Sequence, residues 1–270
     1  LKRAHPWKPI PPKVGAESVT DPHAYHEDIG PESEGGDVPQ KTNAGAVALG
    51  RNFEGTQLFG GTPSDNTVAI SDGGLLVAMD NESVGYCKEN GDTIAKFGLT
   101  YPRFYADTTM DRTPYDPRVI YDRYANRFIA YNSYRSQDYK DSRVLVSFSK
   151  PLVGDTVEWY TYQVHCDSIY QGQEERMYWF DFPSIAVSES QLIVSVTIAR
   201  RDTVSNTNTV TTSVVMQFLK ADGYAGLPTV RRRLWKDVTN TDGVKDLEIA
   251  AAIDALQSPG YDTTVYLLSN

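Results

Sequence analysis

The stretch Tyr115–Ala130, with the sequence YDPRVIYDRYANRFIA, determines the fold class of this chain. Two apolar runs, Arg118–Tyr121 and Arg127–Ala130, are separated by a short polar turn and preceded by Asp116 and Pro117. Runs of about four to eight β-branched or aromatic residues, bounded by Gly, Asn, Asp or Pro, are typical of strands joined by tight turns. The stretch therefore predicts a β-hairpin that is entered through an Asp-Pro step.

The same pattern occurs at two other places in the chain. One copy starts at Asp65 and has its apolar runs within Thr67–Ala78, and the other starts at Asp181 and has them within Ser184–Ser195. Asp65, Asp116 and Asp181 lie 51 and 65 residues apart, near the roughly 40 to 50 residues of one four-stranded propeller blade plus loop insertions. We therefore expect an all-β fold of the β-propeller type.

A fourth copy begins near Ala251 and reaches Leu268, which gives about three and a half to four blades over residues 44–270. A propeller has to close its ring, because open sheet edges would pair with other chains. The blade count therefore predicts that residues 44–270 are the N-terminal part of a larger propeller, which the rest of its own chain or another chain completes. Within this copy, the alanines of Leu247–Ile253 are compatible with a short helix or with a strand.

Residues 1–43 differ from the rest of the chain. They contain seven of the fifteen prolines and show no periodic pattern of apolar residues. Proline fixes the backbone angle φ and removes a hydrogen-bond donor, so such a stretch favours neither helix nor sheet. We predict a proline-rich extended arm that precedes the propeller.

Composition and charge exclude several classes of function. The 270 residues contain 26 Lys and Arg against 35 Asp and Glu, for a net charge of −9. An acidic chain is poorly suited to a phosphate backbone, so no nucleic-acid partner is expected. No run approaches the roughly 18 apolar residues of a membrane-spanning helix. The two cysteines, Cys87 and Cys166, predict either one disulfide bond or two buried thiols.

Several phrases of the sequence resemble a known group of proteins. They are NFEG at Asn52–Gly55, PSDN at Pro63–Asn66, DPRVIYD at Asp116–Asp122, NRF at Asn126–Phe128 and WFDFP at Trp179–Pro183. They resemble large secreted β-propeller surface proteins of bacteria that are exported through the type IX secretion pathway. The resemblance implies a location outside the cell or on its surface. It also implies a role as a recognition or adhesion scaffold that binds a protein or a glycan.

The resemblance further implies O-linked glycans at a three-residue motif. Its first residue is Asp, its second is the Ser or Thr that carries the glycan, and its third is an aliphatic residue, Met or Thr. Six such triplets occur, where composition alone gives on the order of one or two. The acceptor residues are Thr93, Thr108, Thr156, Ser168, Thr203 and Thr263. The alternative is that Asp-Thr pairs are favoured in turns.

Asp65, Asp116 and Asp181 are the candidate catalytic residues, because their repeated position predicts that they meet on one face of the propeller. Glycoside hydrolysis uses two carboxyl groups about 5 to 9 Å apart, one of them with a raised pKa. A carbohydrate-active hydrolase is therefore one alternative function. Each Asp could instead cap the turn that enters its own blade.

The candidate ligand-binding residues are Tyr178, Trp179, Asp181 and Arg118. Aromatic faces stack on sugar rings, although propellers also use aromatic residues as packing between blades. No cofactor is predicted, and the acidic loops 107–116 and 240–243 are candidate sites for calcium. A final alternative is a structural subunit, or a substrate, held in a secretion or gliding assembly.

Overall fold

The computed structural model describes residues 53, 63–98, 102–105, 107–166, 169, 177–202, 204–239, 242–253 and 265–269. The chain divides into two compact units, Leu1–Ala48 and Leu49–Asn270, and every described residue belongs to the second unit. The predicted arm over residues 1–43 lies outside the described residues.

The described residues form an all-β fold of antiparallel sheets, as predicted. The first sheet contains β1 (Thr67–Ile70), β2 (Leu75–Met79), β3 (Ser83–Lys88) and β4 (Thr93–Gly98). The second contains β5 (Tyr115–Asp122), β6 (Arg127–Arg135), β7 (Ser142–Ser149) and β8 (Trp159–His165). The third contains β9 (Met177–Val187), β10 (Gln191–Asp202), β11 (Thr207–Leu219) and β12 (Arg232–Lys236), and a strand pair contains β13 (Ile249–Ile253) and β14 (Val265–Ser269). Two short helices, α1 (Pro102–Tyr105) and α2 (Lys220–Tyr224), lie between strands.

The second sheet is buried on both faces, which explains why its strands are nearly continuous apolar runs. Side chains alternate between the faces of a strand. Along β6, Phe128 and Ala130 pack in a core shared with the first sheet, whereas Ile129 and Tyr131 pack in a core shared with the third sheet. The sheets therefore stack face to face, with one apolar core between each successive pair.

The first strand of each sheet lies at one edge of that sheet. In the three four-stranded sheets the strand order follows the chain order. β1 contacts β5, β5 contacts β9, and β9 contacts β13. The starting strands of successive sheets are therefore neighbours, and residues at the same position in each repeat are brought together.

β-Bulges interrupt two of these edge strands at the repeated Asp-containing step. On β5, Asp116 and Pro117 together oppose Asn132 of β6, which gives two residues against one. On β9, Phe182 and Pro183 oppose Val196 of β10 in the same way. Proline has no N–H to donate, and it is tolerated at these places because an edge strand or a bulge does not need that hydrogen bond.

The alanine-rich segment Leu247–Ile253 resolves to a strand where it is described. Ile249–Ile253 forms β13 and pairs with β14 along its whole length. Alanine favours a helix in isolation, but pairing and packing against a neighbouring sheet override a weak local propensity. Ile249 is buried in a small core with Ile193 and Val215 of the third sheet.

Candidate functional site

Three residues with left-handed backbone mark the repeated step in the first, second and third sheets. Asp65 has φ 40°, Asp116 has φ 50° and Phe182 has φ 46°. Residues other than glycine rarely adopt this conformation, because it costs on the order of 1 kcal/mol or more. The third copy differs from the prediction, since Phe182 occupies the bulge position that Asp116 holds in the second sheet. Asp181 lies one residue earlier in the strand.

Asn81 connects the first sheet to the second. It lies in the turn between β2 and β3, and its side-chain Nδ2 donates to Oδ2 of Asp65 at 2.7 Å and to the Pro63 carbonyl at 3.0 Å. Its Oδ1 accepts a hydrogen bond from the backbone N–H of Asp116 at 2.8 Å. Both ends of the amide are therefore used to hold Asp65 and Asp116 beside one another.

Phe182 connects the second sheet to the third in a similar way. Its backbone N–H donates to Oδ2 of Asp116 at 3.0 Å and to Oδ1 of Asp181 at 3.2 Å. The carboxyl groups of Asp116 and Asp181 are also hydrogen-bonded to one another. The structure thus brings all three predicted aspartates together, but as a connected group rather than as caps of their own strands.

The surroundings of Asp116 favour its protonated form. Burial, followed by the hydrogen bond and the negative charge of Asp181, raises the pKa of Asp116 to about 7, and the charge of Asp65 adds to the effect. The Phe182 N–H opposes the shift because it stabilises the carboxylate. Two adjacent carboxyl groups cannot both ionise easily, so one proton is retained up to neutral pH.

A cavity lies beside the bulge that contains Phe182, and none of the three aspartates lines it. It has a volume of about 410 Å³ and is lined in part by Arg118, Phe182, Glu248 and Leu268. Phe182 is 65% exposed, so its ring is available to a ligand. Arg118 donates from Nε to the Pro183 carbonyl at 3.0 Å and from Nη1 to the Pro117 carbonyl at 2.8 Å. These bonds fix the guanidinium next to both bulges.

Tyr178 and Trp179, the predicted aromatic ligand-binding residues, are less exposed than Phe182. Trp179 is 4% exposed, and its ring lies 5.4 Å from that of Tyr139 and 5.0 Å from the guanidinium of Arg135. Its faces are therefore occupied within the protein, which favours the packing alternative over stacking on a sugar. Tyr178 is half-buried and packs against the core between the second and third sheets. Phe182 is the exposed aromatic residue beside the aspartates.

The other predicted sites lie away from this group. Cys87 is on β3, Cys166 follows β8, and both keep their thiols, so the structure contains no bond between them. The acceptors Thr93, Thr108 and Thr156 are exposed, whereas Ser168, Thr203 and Thr263 lie outside the described residues. Whether any of them carries a glycan stays a prediction.

The acidic loop 107–116, a candidate calcium site, is already rich in hydrogen-bond donors. Asp107 accepts hydrogen bonds from Thr109, Gln163 and Arg143, and these contacts, with that of Thr109 the largest, hold its pKa well below the usual range. Asp111 accepts from the Tyr134 hydroxyl. Among the residues that the structure describes, no three His, Cys, Asp or Glu side chains are arranged to hold a metal ion.

Asn81, Arg135 and Tyr139 were not predicted from the sequence. Asn81 lies in a turn where asparagine is common, so no local signal distinguishes it. The only sequence signal near Arg135 and Tyr139 is the density of aromatic residues in Tyr131–Tyr139.

Comparisons with known proteins give little beyond this geometry. No family model and no curated protein matches the chain. A GH43 endo-arabinanase from Bacillus licheniformis is 9% identical, with a TM-score of 0.23, over 67% of this chain and 96% of that chain. A thermostable family-43 glycoside hydrolase is 11% identical, with a TM-score of 0.22, over 67% of this chain and 91% of that chain. A likeness at such TM-scores is too weak to indicate an activity for this chain.

No helix in the described part of the chain is long and apolar enough to cross a membrane.

Proposed function

We propose that the described sheets are successive blades of a β-propeller and that the aspartate group at their first strands hydrolyses a glycan. The propeller assignment is supported by the contacts of β1 with β5, β5 with β9 and β9 with β13, because first strands that are neighbours in this order surround a common axis. The enzymatic assignment is supported mainly by one observation. Asp116 retains a proton to about pH 7 beside a second and a third carboxyl group.

The proposed chemistry uses Asp116 as the general acid. Asp116 and Asp181 are hydrogen-bonded to one another, so they are too close to flank a glycosidic bond, which requires a separation of about 5 to 9 Å. Asp65 is therefore the partner of Asp116 in this proposal. Asp116 gives its proton to the leaving oxygen as the glycosidic bond breaks, and water attacks the anomeric carbon. Asp65 takes the proton that the water loses.

The remaining contacts suit the same ligand class. The exposed face of Phe182 can stack on the apolar face of a sugar ring, and the neighbouring cavity of about 410 Å³ has room for one or two sugar units. Asp181 keeps the proton on Asp116 by its negative charge. Asn81 is a positioning residue, since it holds Asp65 against the backbone of Asp116.

Release of reducing ends from a panel of polysaccharides tests this proposal. The panel includes neutral members (xylan, arabinan, galactan) and acidic members (polygalacturonate, alginate, chondroitin sulfate). We expect cleavage of at least one member, with a rate that falls as pH rises through about 7 because the general acid loses its proton. Asp116→Asn should lower the rate about 100-fold or more, whereas Asp237→Asn, which removes an exposed carboxyl paired with Lys245, should not change it.

A recognition module without turnover is the second candidate. It is favoured by the hydrogen bonds of Asp116, which connect it to Asn81 of the first sheet and to Phe182 of the third sheet. If the wild type binds a member of the panel and releases no reducing ends from it over several hours, that result would favour recognition and reject hydrolysis. Cleavage that Asp116→Asn leaves unchanged would also reject the assigned acid.

The expected location outside the cell remains a proposal. It is supported by the resemblance to exported propeller proteins and by the exposure of Thr93, Thr108 and Thr156. Intact mass and peptide mapping of the protein from its own source test it. Sugar on the Asp-Thr and Asp-Ser triplets would support export and modification, whereas unmodified peptides at all six would reject the glycan prediction.

A further inference from the structure

We infer that the glycan bound at the aspartate group is anionic and that Arg135 and Arg201 bind its acidic substituent. This inference rests on the proposed function and specifies its substrate class. It follows from a cluster of arginine and aromatic side chains that the proposed hydrolysis does not use.

The cluster is built around Tyr139, which lies in the loop between β6 and β7. The guanidinium of Arg135 lies 4.0 Å from the Tyr139 ring and that of Arg201 lies 4.8 Å from it. Arg201 also donates from Nη1 to the Tyr139 hydroxyl at 2.7 Å. Tyr139 has φ 64°, a conformation that is costly for a residue with a side chain, and such strain is concentrated at functional sites.

The cluster shares a face of the third sheet with Asp181. Trp179, which packs against Tyr139, is two residues before Asp181 on β9, and residues two apart in a strand share one face. Arg201 is on the same face of the neighbouring strand β10, two residues beyond Ala199, the residue opposite Trp179. Tyr115 makes a second link, since Arg135 lies 5.9 Å from its ring and both Asp116 and Asp181 affect its pKa.

Neither guanidinium is neutralised by a carboxylate among the residues that the structure describes. Arg135 contacts only aromatic rings, and its Nε is buried without a hydrogen-bond partner. Arg201 bonds to Tyr139 and to Oδ1 of Asn206. The nearby carboxylates have other donors, because Asp138 accepts from Ser136 and Lys140, and Asp202 accepts from the backbone of residues 204 and 205.

Two uncompensated guanidinium groups on an acidic chain require an explanation. Stacking on aromatic rings does not use the in-plane N–H groups of arginine, so those of Arg135, and those that Arg201 does not donate to Tyr139 and Asn206, can bind carboxylate or sulfate. A uronate or sulfated sugar would supply that anion while its neighbouring glycosidic bond lies at Asp116. A neutral glycan would leave both cations without a counterion.

Matched pairs of oligosaccharides test this inference by calorimetric titration. Each pair consists of an acidic probe (oligogalacturonate, or a chondroitin sulfate oligosaccharide) and its carboxyl-reduced or desulfated counterpart. We expect the wild type to bind at least one acidic probe about tenfold or more tightly than its neutral counterpart, and added salt to weaken that binding.

Two arginine variants locate the effect. Arg201→Gln should lower the affinity for the acidic probe about tenfold or more and leave the affinity for the neutral counterpart unchanged. Arg200→Gln is the matched control, because Arg200 is the next residue of β10, lies opposite Tyr178 and projects from the other face. The midpoint of urea unfolding of each variant shows whether it is folded.

The outcomes separate this inference from the proposed function. Equal binding of both members of every pair, or equal effects of Arg201→Gln and Arg200→Gln, would overturn the anionic substrate and leave glycan hydrolysis standing. A lack of binding to every acidic and neutral probe, together with no release of reducing ends from the polysaccharide panel, would overturn both.

Discussion

The backbone N–H of Phe182 donates a hydrogen bond to the carboxyl group of Asp116 across two sheets, at 3.0 Å. The donor and the acceptor both lie at β-bulges with left-handed backbone. The bond therefore does two things at once. It joins the second sheet to the third, and it fixes the orientation of the carboxyl group that carries the proton of the site.

The first prediction concerns the pH dependence of stability. The pKa of Asp116 is about 7 in the folded chain and about 4 when unfolded, so the contribution of the protonated carboxyl is fully present below about pH 4 and is lost as pH rises through about 7. We expect this contribution to be about 2 kcal/mol, because solvent screens a half-buried group. Urea unfolding at pH 5 and pH 8.5 measures it.

Asp116→Asn provides the comparison for that measurement. An asparagine at this position cannot ionise, yet its amide can still accept from Phe182 and donate to Asp181. The variant should therefore lack the loss of unfolding free energy between pH 5 and pH 8.5 that the wild type shows. If the two proteins lose stability in parallel over this range, Asp116 does not have the raised pKa.

The second prediction concerns Asn81. Asn81→Ala removes both hydrogen bonds that hold Asp65 and the Asp116 backbone together, and it leaves a half-buried N–H without a partner. We expect a loss of about 1 to 3 kcal/mol in the free energy of unfolding, together with reduced hydrolysis. Asn90→Ala is the control, because among the residues that the structure describes the Asn90 side chain bonds only to Asp92, within one exposed turn. Equal effects of the two substitutions would contradict the connecting role of Asn81.

The strands were more predictable from the sequence than the site. Nearly continuous apolar runs bounded by turn residues indicated β5 and β6 directly, because burial on both faces of a strand leaves such runs in the sequence. The convergence of Asp65, Asp116 and Asp181 followed from their repeated position. The contact of Tyr139 with Arg201 joins a loop to a residue of β10 that is 62 positions away in the sequence, and no local pattern encodes a contact at that separation. The displacement of Asp181 by one residue depends on a bulge, which changes register without changing composition.

The third prediction concerns the cysteines. With no bond between Cys87 and Cys166, the unfolded chain should react with two equivalents of a thiol reagent in the absence of reductant. In the folded chain at neutral pH, Cys87 should react slowly, because burial raises the pKa of its thiol and the thiolate is the reactive form. Failure of the unfolded, unreduced protein to react at all would show that the cysteines are bonded after all.

The fourth prediction concerns a buried ion pair between the second and third sheets. Nζ of Lys220 lies 2.7 Å from Oδ2 of Asp122, the Tyr224 hydroxyl donates to the same oxygen at 2.7 Å, and both charged side chains are almost completely buried. Lys220→Met leaves a buried carboxylate with only one strong donor. We expect a loss of about 3 to 5 kcal/mol in the free energy of unfolding by urea titration.

Two further variants decide whether the charge or the packing of Lys220 is responsible. In Asp122→Asn combined with Lys220→Met, no buried charge remains, so the loss should be smaller than that of Lys220→Met alone. Lys245→Met, which breaks an exposed pair with Asp237, should cost less than about 1 kcal/mol. A double variant less stable than Lys220→Met would mean that Asp122 stabilises the chain without its partner, and that the ion pair does not explain why these sheets hold together.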